Sequence, residues 1–343
     1  MKKLQNVFYV LQPDVYISKD GENVVVLKDN AEIKRLPIHT IESIVCFNYL
    51  GVSPALMQLC GERNIGISFF TPYGKFQGRI SGSIQGNVLL RKQQYRYSDD
   101  EIESSKIARN MILGKIFNSR VILKRAVRDH AAKSDVNSIE AAVGILDNGI
   151  EKIRNVEALG TIRGIEGTCA KAYFESFDHL ILHQKDDFFL FERNRRPPLD
   201  NMNALLSFLY SMLTNDIRAA LESVGLDPYV GFLHRDRPGR TSLALDLMEE
   251  LRPVMADRVA LSLVNRKQVN ATGFILKESG GVLMKDETRQ TVLKEWQEKK
   301  KEEITHPFLN EKIQWGLVPY VQALLLARYI RGDLEEYPPF LYK

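Results

Sequence analysis

The first 80 residues alternate between short apolar runs and turn-forming residues. The runs are rich in Val, Ile, Phe and Tyr, which favour half-buried strands. Strands are predicted at residues 7–11, 15–18, 24–27, 33–36, 44–47, 65–70 and 76–80. Asp20-Gly21 and Asp29-Asn30 have the composition of hairpin turns. Only one helix is predicted here, at residues 54–62, so this part of the chain should be β-rich.

The spacing of apolar residues changes after Asp99-Asp100. Apolar residues such as Ile107, Met111, Ile112 and Ile116 recur every three or four positions from there on, which is typical of helices. Two loops at residues 195–198 and 237–240 interrupt this pattern. We therefore predict an α+β protein, with a β-rich N-terminal domain at residues 1–97 and an all-α domain at residues 98–343.

Composition supports a folded protein with more than one core. The chain has 343 residues, of which 44% are hydrophobic. Its cysteines, Cys46, Cys60 and Cys169, are odd in number and widely spaced, which argues against a disulfide framework and a zinc knuckle. The apolar run at residues 7–11 is too short for a secretory signal, and no run approaches the roughly 20 apolar residues of a membrane span. We expect a cytoplasmic protein without a membrane partner.

The formal charge of +4 is small for this length, so the distribution of basic residues matters more than their total. The segment from Val230 to Lys267 contains seven basic residues against five acids. The candidate DNA-binding arginines are Arg193, Arg195, Arg196, Arg235, Arg237, Arg240, Arg252 and Arg258. Arginine binds phosphate through two parallel hydrogen bonds, which favours a phosphodiester partner. Pairing with surface acids is an equally good interpretation of these clusters.

Two acids in the same segment form a candidate site. Asp246 and Glu249 lie three residues apart on a predicted helix at residues 243–251, with Ser242 as its N-cap. At this spacing they share a face, and their repulsion predicts a cation between them, either a metal or an arginine. A solvated or arginine-paired face is the commoner outcome of such spacing.

Glu166 and His234 complete the candidate site. Gly164, Gly167 and Ala170 surround Glu166 at intervals of three, which predicts close helix packing that half-buries the carboxylate and demands a partner for its charge. A buried Glu–Arg pair is the alternative, and a lone histidine is more often structural than a ligand. Together, two or three carboxylates and one imidazole suit Mg²⁺ or Mn²⁺. Beside so many arginines, this set indicates metal-dependent chemistry on nucleic acid.

Several segments closely resemble one family, the CRISPR-associated endonuclease/integrase of spacer acquisition. These are Gly164-Ile165-Glu166-Gly167 and residues 194–208, 231–253 and 322–333. The resemblance extends over nearly the whole chain. The loop at residues 235–240 has no insertion and resembles the version that accompanies type I-C systems.

The resemblance implies an active site in the helical domain and a homodimer formed with help from the N-terminal domain. One Mg²⁺ or Mn²⁺ ion would be held by a Glu, a His and a second acid, which fall on Glu166, His234 and Glu249. The family often has Asp at the last position, and Glu249 is one methylene longer, so the metal geometry would differ slightly. Asp246 matches a further acidic position near the metal or its bound water.

The resemblance also implies a reaction and a partner. A DNA 3′-hydroxyl of a protospacer duplex would attack a phosphodiester in the CRISPR repeat, and water in its place would give nuclease activity. Tyr210 would stack or hydrogen-bond near the reacting strand, with core packing as the alternative. The partner would be a small CRISPR-associated adaptation protein of ferredoxin-like fold, carrying two dimers of this chain in a 4:2 complex.

Two other functions fit the same residues. One is a repair nuclease for branched DNA, which would share the site but not the specificity for the repeat. The other is a non-catalytic DNA-binding scaffold, in which Glu166, His234 and Glu249 would form only an ion-pair network with arginines.

Overall fold

The structure is a computed structural model that describes residues 7–12, 14–47, 50–71, 76–82, 88–130, 135–194, 197–235 and 237–343. The chain divides into two compact units, Met1–Gln85 and Gly86–Lys343. The division falls before the boundary at residue 97 that the sequence predicts. The reason is that the helix at Val88–Asp99 packs within the second unit.

The first unit is built from two four-stranded sheets. Its elements are β1 (Val7–Val10), β2 (Val15–Asp20), β3 (Asn23–Lys28), β4 (Ala31–Pro37), β5 (Ser43–Cys46), β6 (Gly51–Val52), α1 (Pro54–Glu62), β7 (Gly66–Phe70) and β8 (Phe76–Ile80). One sheet has the order β1-β5-β7-β8, in which only the β7/β8 pair is antiparallel. The other has the order β4-β3-β2-β6, in which only the β2/β6 pair is parallel.

Local sequence signals account for the turns and for α1. Gly21 has a φ of 56°, and Asp29 and Asn30 have φ values of 50° and 64°, so both predicted hairpin turns are confirmed. Helix α1 begins after Ser53, whose side chain accepts a hydrogen bond from the Leu56 N–H. The predicted helix at residues 54–62 is therefore confirmed, whereas β6 was not predicted because two residues carry no pattern.

Alternating apolar residues form the core of this unit. Val15, Ile17, Ile44 and Ile67 are fully buried in one cluster that both sheets share. All three cysteines of the chain are buried free thiols. Burial raises the pKa of the Cys46 thiol to about 12, so this thiol stays protonated at neutral pH.

The second unit is mainly helical. Its helices are α2 (Val88–Asp99), α3 (Glu101–His130), α4 (Val136–Ile153), α5 (Leu159–Phe177), α6 (Asn201–Ser223), α7 (Ser242–Leu251), α8 (Arg258–Asn265), α9 (Asp286–Lys301) and α10 (Val318–Ile330). Two antiparallel ribbons join them: β9 (Phe274–Leu276) with β10 (Val282–Met284), and β11 (Glu303–Thr305) with β12 (Lys312–Gln314). The predicted order of a β-rich part followed by a helical part is confirmed. The all-α description overlooks the ribbons, whose three-residue strands are too short to show alternation.

Helix α3 is the scaffold on which the site is built, since it packs against α4, α5 and α7. A Cβ atom at Gly114 would lie 2.9 Å from Glu250 Cβ of α7, closer than such atoms approach. Glycine at this position therefore permits close contact between α3 and α7. The next residue, Lys115, is consequently held beside Glu249.

Helix α7 differs from its prediction in two respects. It begins at Ser242, with Thr241 in the N-cap position and no side-chain cap, and the Ser242 hydroxyl instead donates to the Arg235 carbonyl at 3.3 Å. Its polar residues Asp246 and Glu249 are both buried, so a solvated face is ruled out. A π-helical turn, Pro253–Asp257, then leads into α8.

A buried carboxyl on α7 holds the C-terminal segment. Glu250 accepts hydrogen bonds from the Tyr337 hydroxyl, from Gln322 Nε2 at 3.0 Å and from the Phe340 N–H at 2.8 Å. Burial raises the pKa of Glu250 to about 7, although these donors act in the opposite direction. In the part of the chain that the structure describes, no helix combines the length and apolar character needed to cross a membrane.

Candidate metal centre and nucleic-acid surface

Glu166 of α5 and Glu249 of α7 converge on the ammonium group of Lys115 from α3. Lys115 Nζ contacts Glu166 Oε1 and lies 2.7 Å from Glu249 Oε2. The side chains of Lys115 and Glu249 are 8% and 5% exposed, while that of Glu166 is 27% exposed. The site is therefore buried on the α3/α7 side and opens at Glu166.

A second cation neutralises the pair of carboxylates. The buried Arg252 donates to Glu249 Oε1, and its guanidinium lies 5.3 Å from the centre of the Tyr210 ring. Glu249 Oε2 touches Lys115 but has no well-oriented hydrogen bond among the described residues. Burial raises the pKa of Glu166, but the charges of Lys115, Arg252 and His234 outweigh it and lower that pKa. Glu166 is therefore a carboxylate at neutral pH.

His234 is fixed by a buried carboxylate. Asp246 is fully buried and accepts from the N–H groups of Phe232 at 2.6 Å, Leu233 at 2.9 Å and His234 at 2.9 Å. Its Oδ1 is also 2.6 Å from His234 Nδ1. Because a carboxylate only accepts hydrogen bonds, Nδ1 carries a proton, and in the neutral imidazole Nε2 therefore has the lone pair.

The loop before His234 is held from two further sides. A Cβ atom at Gly231 would lie 2.8 Å from Asp246 Oδ2, so the approach of the carboxylate requires glycine. Arg163 of α5 donates to the Leu233 carbonyl at 2.6 Å and 3.2 Å. His234 is thus positioned by α5 and α7, the same helices that carry Glu166 and Glu249.

The donor set fits a hard divalent cation. The described residues contain no group of three or more His, Cys, Asp or Glu side chains already arranged around a metal position. However, a cation in the form of the Lys115 ammonium lies between Glu166 and Glu249, and one buried oxygen of Glu249 lacks an aligned donor. Carboxylate oxygens and one imidazole nitrogen are ligands that suit Mg²⁺ and Mn²⁺.

Two explanations drawn from the sequence need correction. Asp246 and Glu249 do not share a cation of the protein, since Asp246 accepts hydrogen bonds from loop N–H groups and His234. Glu249 pairs with Lys115 and with Arg252, and the latter is the arginine pairing that the sequence left open. Glu166 is half-buried as predicted, but not because of its glycines. Apart from α5 itself, no described atom lies within 4 Å of a Cβ built at Gly164 or Gly167, whereas Lys115 of α3 contacts the Glu166 carboxylate.

Of the residues predicted to contact DNA, some lie at the protein surface and others are buried. Arg235 and Arg237 are exposed beside His234, and Arg240 is half-buried in the same loop. Arg252 and Tyr210 are 5% and 7% exposed, which argues against direct contact with a DNA strand in this conformation. Arg252 instead forms an ion pair with Glu249.

Tyr210 belongs to a buried network. Its hydroxyl donates to Asp257 at 2.7 Å, and Tyr173 donates to the same carboxylate at 2.9 Å. Burial raises the pKa of Asp257, while the two hydroxyls act against that effect. Tyr210 therefore packs in the core, the alternative that the sequence left open.

Two other predicted arginines have structural partners. Arg193 donates to Asn203 Oδ1 at 2.6 Å and lies over the Tyr210 ring, and Arg258 donates to the Tyr342 hydroxyl at 2.9 Å. Both residues are half-buried. Arg195 and Arg196 lie outside the described residues.

A basic groove was not predicted from the sequence, although Arg258 in its rim was among the DNA-binding candidates. It has a volume of about 460 Å³ and lies between the C-terminal half of α3, the segment after α5, and α8. Its charged and polar rim includes Arg125, Asp129, His130, His183, Arg258 and Arg266. Leu180, Leu182 and Leu261 contribute apolar surface. The residues come from three distant segments, so only the fold reveals them together.

The role of Lys115 as the partner of buried acids was also not predicted, although the sequence contains a signal for it. It follows Met111 and Ile112 and precedes Ile116 on the apolar face of a long helix, where a lysine needs a buried acid.

Comparisons with known proteins agree with this organisation. The family model described as CRISPR associated protein Cas1 matches residues 8–298. A CRISPR-associated endonuclease Cas1 of Rhodospirillum rubrum is 50% identical over 347 residues, and one of Chlorobaculum tepidum is 47% identical over 344 residues. Each alignment covers 100% of both proteins.

Solved structures with low sequence identity share the fold. A casposase bound to an integration product has a TM-score of 0.83 and 21% identity, and the match covers 99% of this chain and 95% of that one. A Cas6-RT-Cas1–Cas2 complex has a TM-score of 0.83 and 19% identity, with 100% of this chain and 36% of that chain covered.

The arrangement of a β-sheet unit followed by a helical unit, together with these sequence matches, defines a CRISPR-associated protein. The chain belongs to the Cas1 family, which confirms the resemblance seen in its sequence.

Proposed function

We propose that this chain is a metal-dependent DNA endonuclease and integrase of CRISPR adaptation. The observation that carries the proposal is the convergence of Glu166 and Glu249 on one buried cationic position, on the helices that also fix His234. Membership of a family whose curated relatives are named endonucleases supports the nuclease part. The shared fold with a casposase bound to an integration product supports the joining part.

Glu166, His234 and Glu249 would hold one Mg²⁺ or Mn²⁺ ion. When bound, the ion would supply Lewis-acid stabilisation of negative charge on the phosphodiester. Asp246 keeps the Nε2 lone pair of His234 available, and Arg252 holds one oxygen of Glu249. Both Asp246 oxygens are occupied by protein donors, which favours a positioning role over contact with a metal-bound water.

The proposed reaction exchanges one phosphodiester for another. A 3′-hydroxyl of the protospacer duplex loses its proton and forms a bond to a phosphorus atom of the CRISPR repeat. That phosphorus loses its bond to the 3′-oxygen of the cut strand, which takes up a proton and becomes a 3′-hydroxyl. Water as the nucleophile would give hydrolysis. The exposed Arg235 and Arg237 would hold backbone phosphates with little reading of bases, so binding should weaken steeply with salt.

We also propose partners for this activity. A homodimer would assemble with a small CRISPR-associated adaptation protein of ferredoxin-like fold into a 4:2 complex in the cytoplasm. The support is the shared fold with a structure named as a Cas6-RT-Cas1–Cas2 complex. The type I-C assignment rests on the short loop after His234. Co-elution of the purified proteins at the mass of a 4:2 complex would support the assembly, and separate peaks would contradict it.

A strand-joining assay tests the function. The protein, its small partner, a 3′-hydroxyl duplex and a supercoiled plasmid bearing a repeat are mixed with Mn²⁺ or with EDTA. Wild type is compared with His234→Ala, and with His39→Ala as a control at an exposed position in the first unit.

Each outcome selects one function. Joining that requires both Mn²⁺ and His234 establishes the integrase. Metal-dependent nicking without joining would instead indicate the branched-DNA nuclease. Binding without any strand chemistry would indicate the non-catalytic scaffold.

A further inference from the structure

We propose that Lys115 is an internal counter-ion that competes with the divalent cation for Glu166 and Glu249. In the metal-free protein its ammonium neutralises both carboxylates, and it must turn away when the ion binds. This inference rests on the proposed function, because it takes these acids as metal ligands.

The position of the ammonium group is the first support. Lys115 Nζ contacts one oxygen of Glu166 and lies 2.7 Å from Oε2 of Glu249. An ion held by both carboxylates would occupy the space between these oxygens. The ammonium and the ion therefore cannot both keep these contacts.

The charges give the second support. Two carboxylates, Glu166 and Glu249, face two cations, Lys115 and Arg252, so the cluster is already neutral. A divalent ion would leave these four groups with an excess of two positive charges, of which the Asp246 carboxylate beside His234 would offset one. Repulsion in this largely buried place would weaken binding of the ion unless a cation leaves or an anion arrives.

Of the two cations, Lys115 is the one that would turn away, because Arg252 is held on two sides. The Arg252 guanidinium is bound to Glu249 and stacked near the Tyr210 ring. At Gly114 the backbone of α3 is already in closest contact with α7. Lysine has a flexible four-carbon stem, so its side chain can rotate while the helix stays in place.

DNA is the anion that would relieve the excess charge. The site opens at Glu166 and His234, whose side chains are 27% and 24% exposed, and the exposed Arg235 lies beside that opening. A phosphate bound there would accept the displaced ammonium. Metal and DNA would then each strengthen the binding of the other, since such coupling is reciprocal.

Direct measurement of Mn²⁺ binding tests the proposal without using activity. Free Mn²⁺ is followed by electron paramagnetic resonance for wild type, Lys115→Met and Lys106→Met. Lys106 is a matched control, since it lies on the same helix, is 46% exposed and pairs with Glu103. Without DNA, Lys115→Met should bind Mn²⁺ about tenfold more tightly than wild type, whereas Lys106→Met should not change.

A duplex DNA adds the second arm of this experiment. DNA should lower the Mn²⁺ dissociation constant of wild type toward that of Lys115→Met, and should change the variant much less. An unchanged or weaker affinity in Lys115→Met would overturn the competition. The same titration is repeated with His234→Ala in the wild-type and Lys115→Met backgrounds. If this substitution weakens Mn²⁺ binding in neither background, the metal centre of the proposed function fails as well.

Lysine acylation of the wild type covers the case in which Lys115→Met does not fold. Mass spectrometry gives the acylation rate of each lysine in metal-free protein and at saturating Mn²⁺. Lys115 should react about threefold or more faster with Mn²⁺, because its ammonium is no longer held by two carboxylates, while Lys106 should not change. An equal rate for Lys115 in both states would overturn the proposal.

Discussion

Replacing Asp246 with asparagine should damage both the stability of the protein and its candidate metal centre. The change is nearly isosteric, so it alters hydrogen bonding and charge without leaving a cavity. In wild type each carboxylate oxygen accepts two hydrogen bonds: Oδ2 from Phe232 and Leu233, and Oδ1 from the N–H and Nδ1 of His234. Asparagine has one acceptor oxygen, so one of these pairs of donors must face an NH₂ group.

The expected loss of stability follows from the number of hydrogen bonds that the substitution removes. Two hydrogen bonds to a charged acceptor are lost at a fully buried position, and each contributes about 1.5–3 kcal/mol, so Asp246→Asn should destabilise the protein by about 3 kcal/mol or more. Loss of a partner that orients a metal-binding histidine typically weakens metal affinity by about 10–100-fold, and a similar loss of Mn²⁺ affinity is expected here.

Urea unfolding followed by circular dichroism measures the stability, and a Mn²⁺ titration measures the affinity. The control is Asp333→Asn, since Asp333 is 41% exposed and its pair with Arg331 should contribute no more than about 1 kcal/mol. If Asp246→Asn costs less than about 1 kcal/mol and changes Mn²⁺ affinity by less than about twofold, the role assigned to this carboxylate is refuted.

Three other predictions address the scaffold, the pH dependence of stability and the basic groove. Gly114→Ala should destabilise the protein by about 1–3 kcal/mol in urea, because its Cβ would lie 2.9 Å from an atom of α7, whereas Gly144→Ala, with no described atom within 4 Å, should be neutral or stabilising. Burial lowers the pKa of His306 to about 4. The unfolded chain therefore takes up the proton first, and as the pH falls from about 6.5 to about 4 the free energy of unfolding should drop by about 3 kcal/mol more in wild type than in His306→Gln. A drop of equal size in the variant would contradict this. Arg266→Ala, in the rim of the groove, should weaken DNA binding and reduce the slope of log K against log salt by about 1, while Arg331→Ala should leave both unchanged.

The sequence predicted those elements whose signals are local. Helix α1 begins at a serine cap followed by proline, and the turns at Gly21 and Asp29-Asn30 need residues that tolerate positive φ. These signals act within a few residues, so they can be recognised without knowing the tertiary fold. The ribbons of the second unit were missed because three-residue strands show no periodicity.

The sequence grouped the candidate site residues but did not predict which side chains contact them. The grouping of Glu166, His234 and Glu249 came from chemistry and from family resemblance. The partners of these residues depend on tertiary packing: Lys115 reaches the two acids because α3 approaches α7 at Gly114. A lysine in a helix is usually assigned to the surface, which is why its role was not foreseen.

Glu166, His234 and Glu249 should together hold one divalent metal ion, and anomalous scattering from crystals soaked in Mn²⁺ would locate that ion. We expect one strong peak among these three side chains in wild type, with Lys115 Nζ moved away from the carboxylates, and no peak there in His234→Ala. A peak elsewhere in wild type, or an undiminished peak in His234→Ala, would contradict it.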